Sequence, residues 1–176
     1  MSDYLIISGT NRKGAKSYEV AVFYKGLLKS MGVGSDILDL ADLPEDSLES
    51  ALYEKAGTNE YFNELISRFN KAKKIIFVVA EYNGSFPGAL KVFIDGLDYP
   101  DSFLDKKAAL IGISSGDQGA ALALSHLADI LSYLGTHVLA YRPRIPALNQ
   151  QFEDGEFTNE KYEKILKEQA IALIEF

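Results

Sequence analysis

The stretch Lys73–Lys91, KKIIFVVAEYNGSFPGALK, decides how the rest of the chain is read. Its first half is β-branched and aromatic and apolar at successive positions, so the strand it forms must be covered on both faces. Asn83-Gly84 then makes a tight turn. Pro87 suits the first turn of a helix that runs to about Leu97. A doubly buried strand followed at once by a helix is the unit from which parallel sheets are built.

The same alternation extends in both directions. Tyr4–Ser8 (YLIIS) reads as a first strand and Asp36–Leu40 (DILDL) as a second. Lys107–Ser114 (KAALIGIS) makes a fourth and Thr136–Ala140 a fifth. Apolar residues at helical spacing predict helices over 17–31, 59–71, 120–134 and 159–174, besides that after Pro87. Five strands alternating with five helices imply an α/β chain, one doubly wound domain over 1–176 with helices on both faces of a five-stranded parallel sheet. The expected strand order is the flavodoxin-like 2-1-3-4-5.

Composition narrows the partners. The 176 residues are 47% apolar and 24% charged, as in a globular protein, and the formal charge of −7 argues against a nucleic-acid footprint. Without cysteine there is no disulfide, thiol nucleophile or thiolate metal site. The N-terminus lacks the pattern of a signal peptide, and no apolar run is long enough to span a bilayer, so a cytoplasmic protein without membrane contact is expected. His126 and His137 have no carboxylate cluster around them, and no metal site is expected. Lys106 and Lys107 read as a solvated strand start, and the acidic stretch 42–54 as a solvated, mobile loop.

Ligands of such sheets bind outside the carboxyl ends of the strands, near the switch in strand order. The loops that leave strands 1, 3 and 4 there are GTNRKGAKS (9–17), EYNGSFPG (81–88) and SSGDQGA (114–120). The first comes close to the nucleotide-triphosphate loop G-x-x-x-x-G-K-[ST], but Ala15 separates Gly14 from Lys16. One extra residue turns the lysine by roughly 100° about a helix axis, and no strand-ending aspartate stands ready for magnesium. The loop still leads onto a helix N-terminus that favours an anion, with Thr10, Arg12 and Ser17 as donors. The second offers the backbone groups of Asn83-Gly84 and an aromatic wall in Tyr82 to a flat polar heterocycle. The glycines of the third allow close approach to a planar ligand. Each loop taken alone is also consistent with a merely structural turn.

Together the loops resemble those of the NADPH-dependent FMN reductase family, which includes many quinone, azo-dye and chromate reductases. The family's G-[ST]-x-R-x-x-S is matched by Gly9, Thr10, Asn11, Arg12 and, after a longer spacer, Ser17. Its P-E-Y-N-x-S-x-P-G-x-L-K-N-x-[IL]-D is matched from Glu81 through Lys91 and again at Ile94-Asp95, and its glycine-rich third loop by 115–119. FEDGEF (152–157) resembles the acidic loop that precedes the family's last helix. Ala80 replaces the usual proline, Val92 and Phe93 stand where asparagine and alanine are frequent, and Asp117 adds a charge where glycine is common.

The resemblance implies FMN as cofactor and NADPH or NADH as co-substrate, with hydride passed to flavin N5 and electrons then delivered to a small acceptor. It implies a phosphate site on Thr10, Arg12 and Ser17. The isoalloxazine would lie against Tyr82, Asn83 and Gly84, with Ser115, Gly116 and Gln118 near the ring or ribityl chain. Glu81 opens the matched motif and joins the cofactor-binding set at the site entrance or a subunit contact. No catalytic side chain is assigned, since the flavin carries the chemistry. A homodimer or homotetramer is implied as well. Two other readings stay open at this point. One is a flavin-binding electron carrier or regulatory module without nicotinamide turnover; the other, disfavoured by the displaced lysine, is an ATP- or GTP-hydrolysing P-loop protein.

Overall fold

In the central strands the burial of alternate side chains on opposite faces builds two cores. The computed structural model describes residues 2–176. Strands β1 (Tyr4–Ser8), β2 (Asp36–Asp39), β3 (Lys74–Ala80) and β4 (Lys107–Ile113) pair in parallel. Leu5, Ile7, Ile75, Phe77, Val79 and Leu110 enter the core shared with helices α3 (Glu60–Lys71), α4 (Gly88–Asp95) and α5 (Ala121–Tyr133). Their neighbours Ile6, Ile76, Val78, Ala109 and Ile111 enter the core shared with α1 (Lys16–Ser30) and α7 (Glu160–Glu175). This period-2 partition, with both halves apolar, is what the unbroken apolar runs demand. Short elements complete the chain: α2 (Ser47–Ser50), β5 (His137–Val138), β6 (Arg144–Ile145), α6 (Leu148–Gln151), and a hairpin of β7 (Phe152–Glu153) and β8 (Glu156–Phe157).

The sheet order is β2-β1-β3-β4-β5, as the sequence predicts, with helices on both faces. The register sets Ser8 beside Val78 and Ala80 beside Ile113, so the loops after β1, β3 and β4 leave one edge of the sheet together. That edge, where β2 lies to one side of β1 and β3 to the other, is the switch point at which such sheets bind ligands.

The fifth strand departs from expectation. Of Thr136–Ala140 only His137 and Val138 pair with β4, and the chain then leaves the sheet and returns as β6 opposite Gly112 and Ile113. Pro143 can offer only its carbonyl, which accepts from Gly112 N–H at 2.9 Å. The gap is closed from α7. The fully buried Gln169 donates through Nε2 to Leu110 O at 2.9 Å and to Tyr141 O at 3.0 Å, satisfying two carbonyls the ladder leaves open.

Two surface expectations also fail. Lys106 is buried: its ammonium donates to Asn70 O (3.1 Å) and Ala72 O at the end of α3 and lies 5.5 Å from the centre of the Phe69 ring. Carbonyls at a helix C-terminus attract a cation, so this lysine closes α3 from within. Burial pulls its ammonium below the ordinary lysine value. The acidic stretch 42–54 includes α2 and part of a short 3₁₀ turn (Tyr53–Lys55), and it buries Ser47, Ala51 and Leu52. Its acids mark the outer face of a folded segment. Among the described residues no helix is long and apolar enough to cross a membrane.

Candidate functional site

The first loop is held at its ends and open in its middle. Gly9 N–H donates to Val78 O at 3.0 Å, and a Cβ at Gly9 would lie 2.9 Å from that oxygen, so only glycine lets the chain pass over β3 here. The buried hydroxyls of Ser8 and Ser17 are 3.0 Å apart and tie the start of the loop to α1. Ser17 does not cap the helix. Helix α1 begins one residue earlier, after Ala15, which supplies no side-chain cap. Tyr18 N–H bonds back to Ala15 O at 3.0 Å, while the N–H groups of Lys16 and Ser17 open the helix without intrahelical acceptors. Arg12 is exposed, and among the described residues it enters no salt bridge. Lys16, by contrast, pairs with Glu19 at 2.8 Å and stands over the Phe152 ring, so its charge is spent along its own helix. Below the loop, burial is the largest influence on Asp39 and raises its carboxyl above the ordinary value.

The second loop is rigid. Tyr82 and Ser85 exchange two backbone hydrogen bonds (2.8 and 3.0 Å) around Asn83 and Gly84, whose φ angles of 52° and 72° are both positive. Asn-Gly is the pair that best tolerates this type I′ geometry. Side chains anchor the turn on both flanks: Tyr82 Oη lies 2.9 Å from Thr10 Oγ1, and Ser85 Oγ lies 3.0 Å from His126 Nδ1 on α5. Glu81 braces it from behind, its carboxylate accepting from Ala120 N–H at 2.9 Å while its own N–H donates to Ile113 O at 3.1 Å.

The third loop turns on Ser114, one residue before the expected set. Its Oγ accepts from Gly119 N–H at 2.9 Å and donates to Gly116 O at 2.7 Å, which leaves Ser115, Gly116, Asp117 and Gln118 exposed on the outside of the curve. Ala120, at φ 61°, then redirects the chain into α5.

Between these loops lies a cavity of about 260 Å³. Of the residues singled out from sequence, Thr10, Arg12, Ser17, Glu81, Tyr82 and Ser115 line it, and so does Lys16, although its ammonium is paired with Glu19. Asn83, Gly84, Gly116 and Gln118 sit on the same loops but outside its wall. Sequence reasoning missed Ser114, Leu148 and Asn149, which also line it. Ser114 was discoverable as the first polar residue after a buried strand. Nothing local marks the other two. The donor set fits a phosphate monoester followed by a flat heterocycle. An uncapped helix start, buried hydroxyls and an unpaired guanidinium occupy one end, with an aromatic side chain and a fixed turn beside them.

The model of the NADPH-dependent FMN reductase family matches residues 3–143. The chain belongs to this family. It is an oxidoreductase, of a family that uses FMN with a reduced nicotinamide as electron donor. Among curated FMN reductases and related enzymes it is 30% identical to the NAD(P)H-dependent FMN reductase of Pseudomonas aeruginosa, over 95% of this chain and 90% of that one. It is 33% identical to the FMN-dependent NADPH-azoreductase of Staphylococcus saprophyticus, over 76% and 72% of the two chains. Among solved structures, the flavoenzyme NAD(P)H:(acceptor) oxidoreductase of Paracoccus denitrificans superposes with a TM-score of 0.79 at 25% identity, over 99% and 96% of the chains. The FMN reductase match ends at residue 143, so Leu148 and Asn149 reach the cavity from outside it.

Proposed function

We propose that this chain binds FMN across its three loops and passes reducing equivalents from NAD(P)H to a small acceptor such as a quinone, an azo compound, free flavin or a metal oxyanion. One observation carries the reading. The uncapped start of α1, with Arg12 and the buried Thr10 and Ser17, faces the fixed Tyr82–Ser85 turn across a single cavity. The relatives' names, FMN reductase and azoreductase, support the acceptor class.

When bound, FMN supplies hydride acceptance and electron delivery. The protein's part is to hold and orient it. Arg12 and the N–H groups opening α1 neutralise the phosphate, and the Thr10 and Ser17 hydroxyls fix its position. The backbone groups of Asn83 and Gly84 meet the polar edge of the ring without reorganising, because the turn is closed before any ligand arrives. A cavity of this volume would take the phosphate end, and the exposed Ser115, Gly116 and Gln118 would border the ring or ribityl chain.

The test is a visible spectrum of purified protein loaded with FMN, recorded anaerobically before and after NADPH. Bleaching of the flavin bands on mixing is expected. Protein that does not take up FMN overturns the reading, and loaded protein that stays oxidised identifies an electron carrier instead.

A further inference from the structure

The cavity has a fourth wall that comes from a remote part of the chain. After β6 the backbone is pinned onto the third loop: Ala147 N–H donates to Gly116 O and Leu148 N–H to Ser114 O, both at 2.9 Å. Ala147 adopts φ 47°, a left-handed conformation that a non-glycine residue keeps only where its surroundings hold it there. The next two residues, Leu148 and Asn149, line the cavity. Leu148 is buried in the core shared with α1, and Asn149 is exposed to solvent. The chain then continues into Phe152, whose ring lies beneath the Lys16 ammonium at 5.8 Å. The segment 148–152 therefore runs alongside the opening turn of α1, and the side chain it presents to the cavity there is a neutral carboxamide.

On the flavin reading above, we propose that Asn149 is a further ligand-binding residue, donating its side-chain N–H to the phosphate group held at the start of α1. Arg12 and Asn149 then hold the phosphate from two different walls. Arg12 comes from the loop that opens α1, and Asn149 from a turn whose position is set by Ser114 and Gly116. The phosphate site is thereby tied to the third loop, which borders the ring or ribityl chain. A carboxamide suits the position because its NH₂ group offers two N–H donors and, unlike a carboxylate, carries no negative charge to repel a phosphate.

The experiment compares FMN with riboflavin, which lacks the phosphate, by fluorescence titration of the full chain stripped of flavin. Asn149→Ala is expected to weaken FMN binding about tenfold, the effect of losing one hydrogen bond to a charged group. Asn149→Asp is expected to weaken it further through repulsion. Riboflavin affinity should stay within about twofold of wild type for both, and so should the thermal unfolding profile. Unchanged FMN affinity in Asn149→Ala overturns this inference alone. Equal losses for FMN and riboflavin also overturn it, by moving Asn149 to the ring or ribityl chain. Wild-type protein that binds no FMN overturns the flavin reading and this inference with it.

Discussion

The two loops that face each other across the cavity are stiffened in opposite ways. The Tyr82–Ser85 turn is closed by its own backbone, tethered by hydroxyls to Thr10 and His126, and braced by Glu81. The loop from Gly9 to Ala15 is fixed where it leaves β1, at the Thr10 hydroxyl and where it enters α1, and between these points it carries the exposed Arg12 guanidinium, which has no salt-bridge partner among the described residues. The difference follows from what each must bind. The edge of a flat ring is recognised by a few hydrogen bonds of defined direction, which weaken steeply when misaligned, so the groups that read it must be set beforehand. A phosphate monoester is nearly symmetric and fully charged, so donors and positive charge suffice, and small adjustments in the loop cost little.

The largest effect expected from this contrast is at Arg12. Arg12→Ala should weaken FMN by roughly ten- to a hundredfold, since charge-assisted bonds are worth about 1.5–3 kcal/mol, while riboflavin is barely affected. Isothermal titration of both ligands reads the difference directly. A matching loss for riboflavin would mean that Arg12 meets the ring, and the division of labour between the loops would be wrong.

Next comes the turn itself. Gly84→Ala places a Cβ at φ 72°, where the nearest heavy atom is Leu122 Cδ1 at 3.9 Å, so space is not limiting and the cost is conformational. That cost is about 1–2 kcal/mol. It should appear as a lower melting temperature and as weaker binding of FMN and riboflavin alike. A loss confined to FMN would contradict the assignment of this turn to the ring.

A smaller effect should come from the bond that links the loops. Tyr82→Phe removes the 2.9 Å contact with Thr10 Oγ1 and should cost about 1 kcal/mol. In a double-mutant cycle with Thr10→Val, measured by chemical denaturation, the two changes should couple by about 0.5–1 kcal/mol. Strict additivity would show that the loops are independent.

These contrasts were legible in the sequence to different depths. The parallel core was plain, because β3 and β4 must be apolar on both faces and say so in unbroken runs. The turn was plain too, since Asn-Gly is a local demand of the backbone. The broken edge strand was not. Thr136–Ala140 carries a strand-like composition, and the device that replaces the missing ladder is a buried glutamine thirty residues later. Lys106 was misread for a related reason, because its partners are carbonyls at the end of α3, which leave no mark in composition. Asn149 escaped notice because backbone bonds from Ala147 and Leu148 bring it to the site, and such bonds are blind to side-chain identity.

The smallest expected effect is the one that the near-match to a nucleotide-triphosphate loop would make large. In such a loop the lysine curls back over the phosphates, and its removal abolishes binding. Here Ala15 shifts Lys16 along the helix, and its ammonium is paired with Glu19 at 2.8 Å. Both partners are partly exposed, so the pair contributes at most about 0.5 kcal/mol to the helix. Lys16→Ala should change FMN affinity by no more than about twofold at moderate salt, and thermal stability by a degree or two. Binding measured across a range of salt concentrations separates a remote charge from a direct contact. A lysine acting through the general field loses its small influence as salt rises, because exposed charges are screened beyond a Debye length of about 10 Å at 0.1 M. A lysine bonded to the phosphate would keep most of its effect. A loss that approached that of Arg12→Ala and persisted at high salt would return the charge of this loop to its lysine, and the comparison between an adaptable phosphate loop and a fixed ring-reading turn would have to be rebuilt around Lys16.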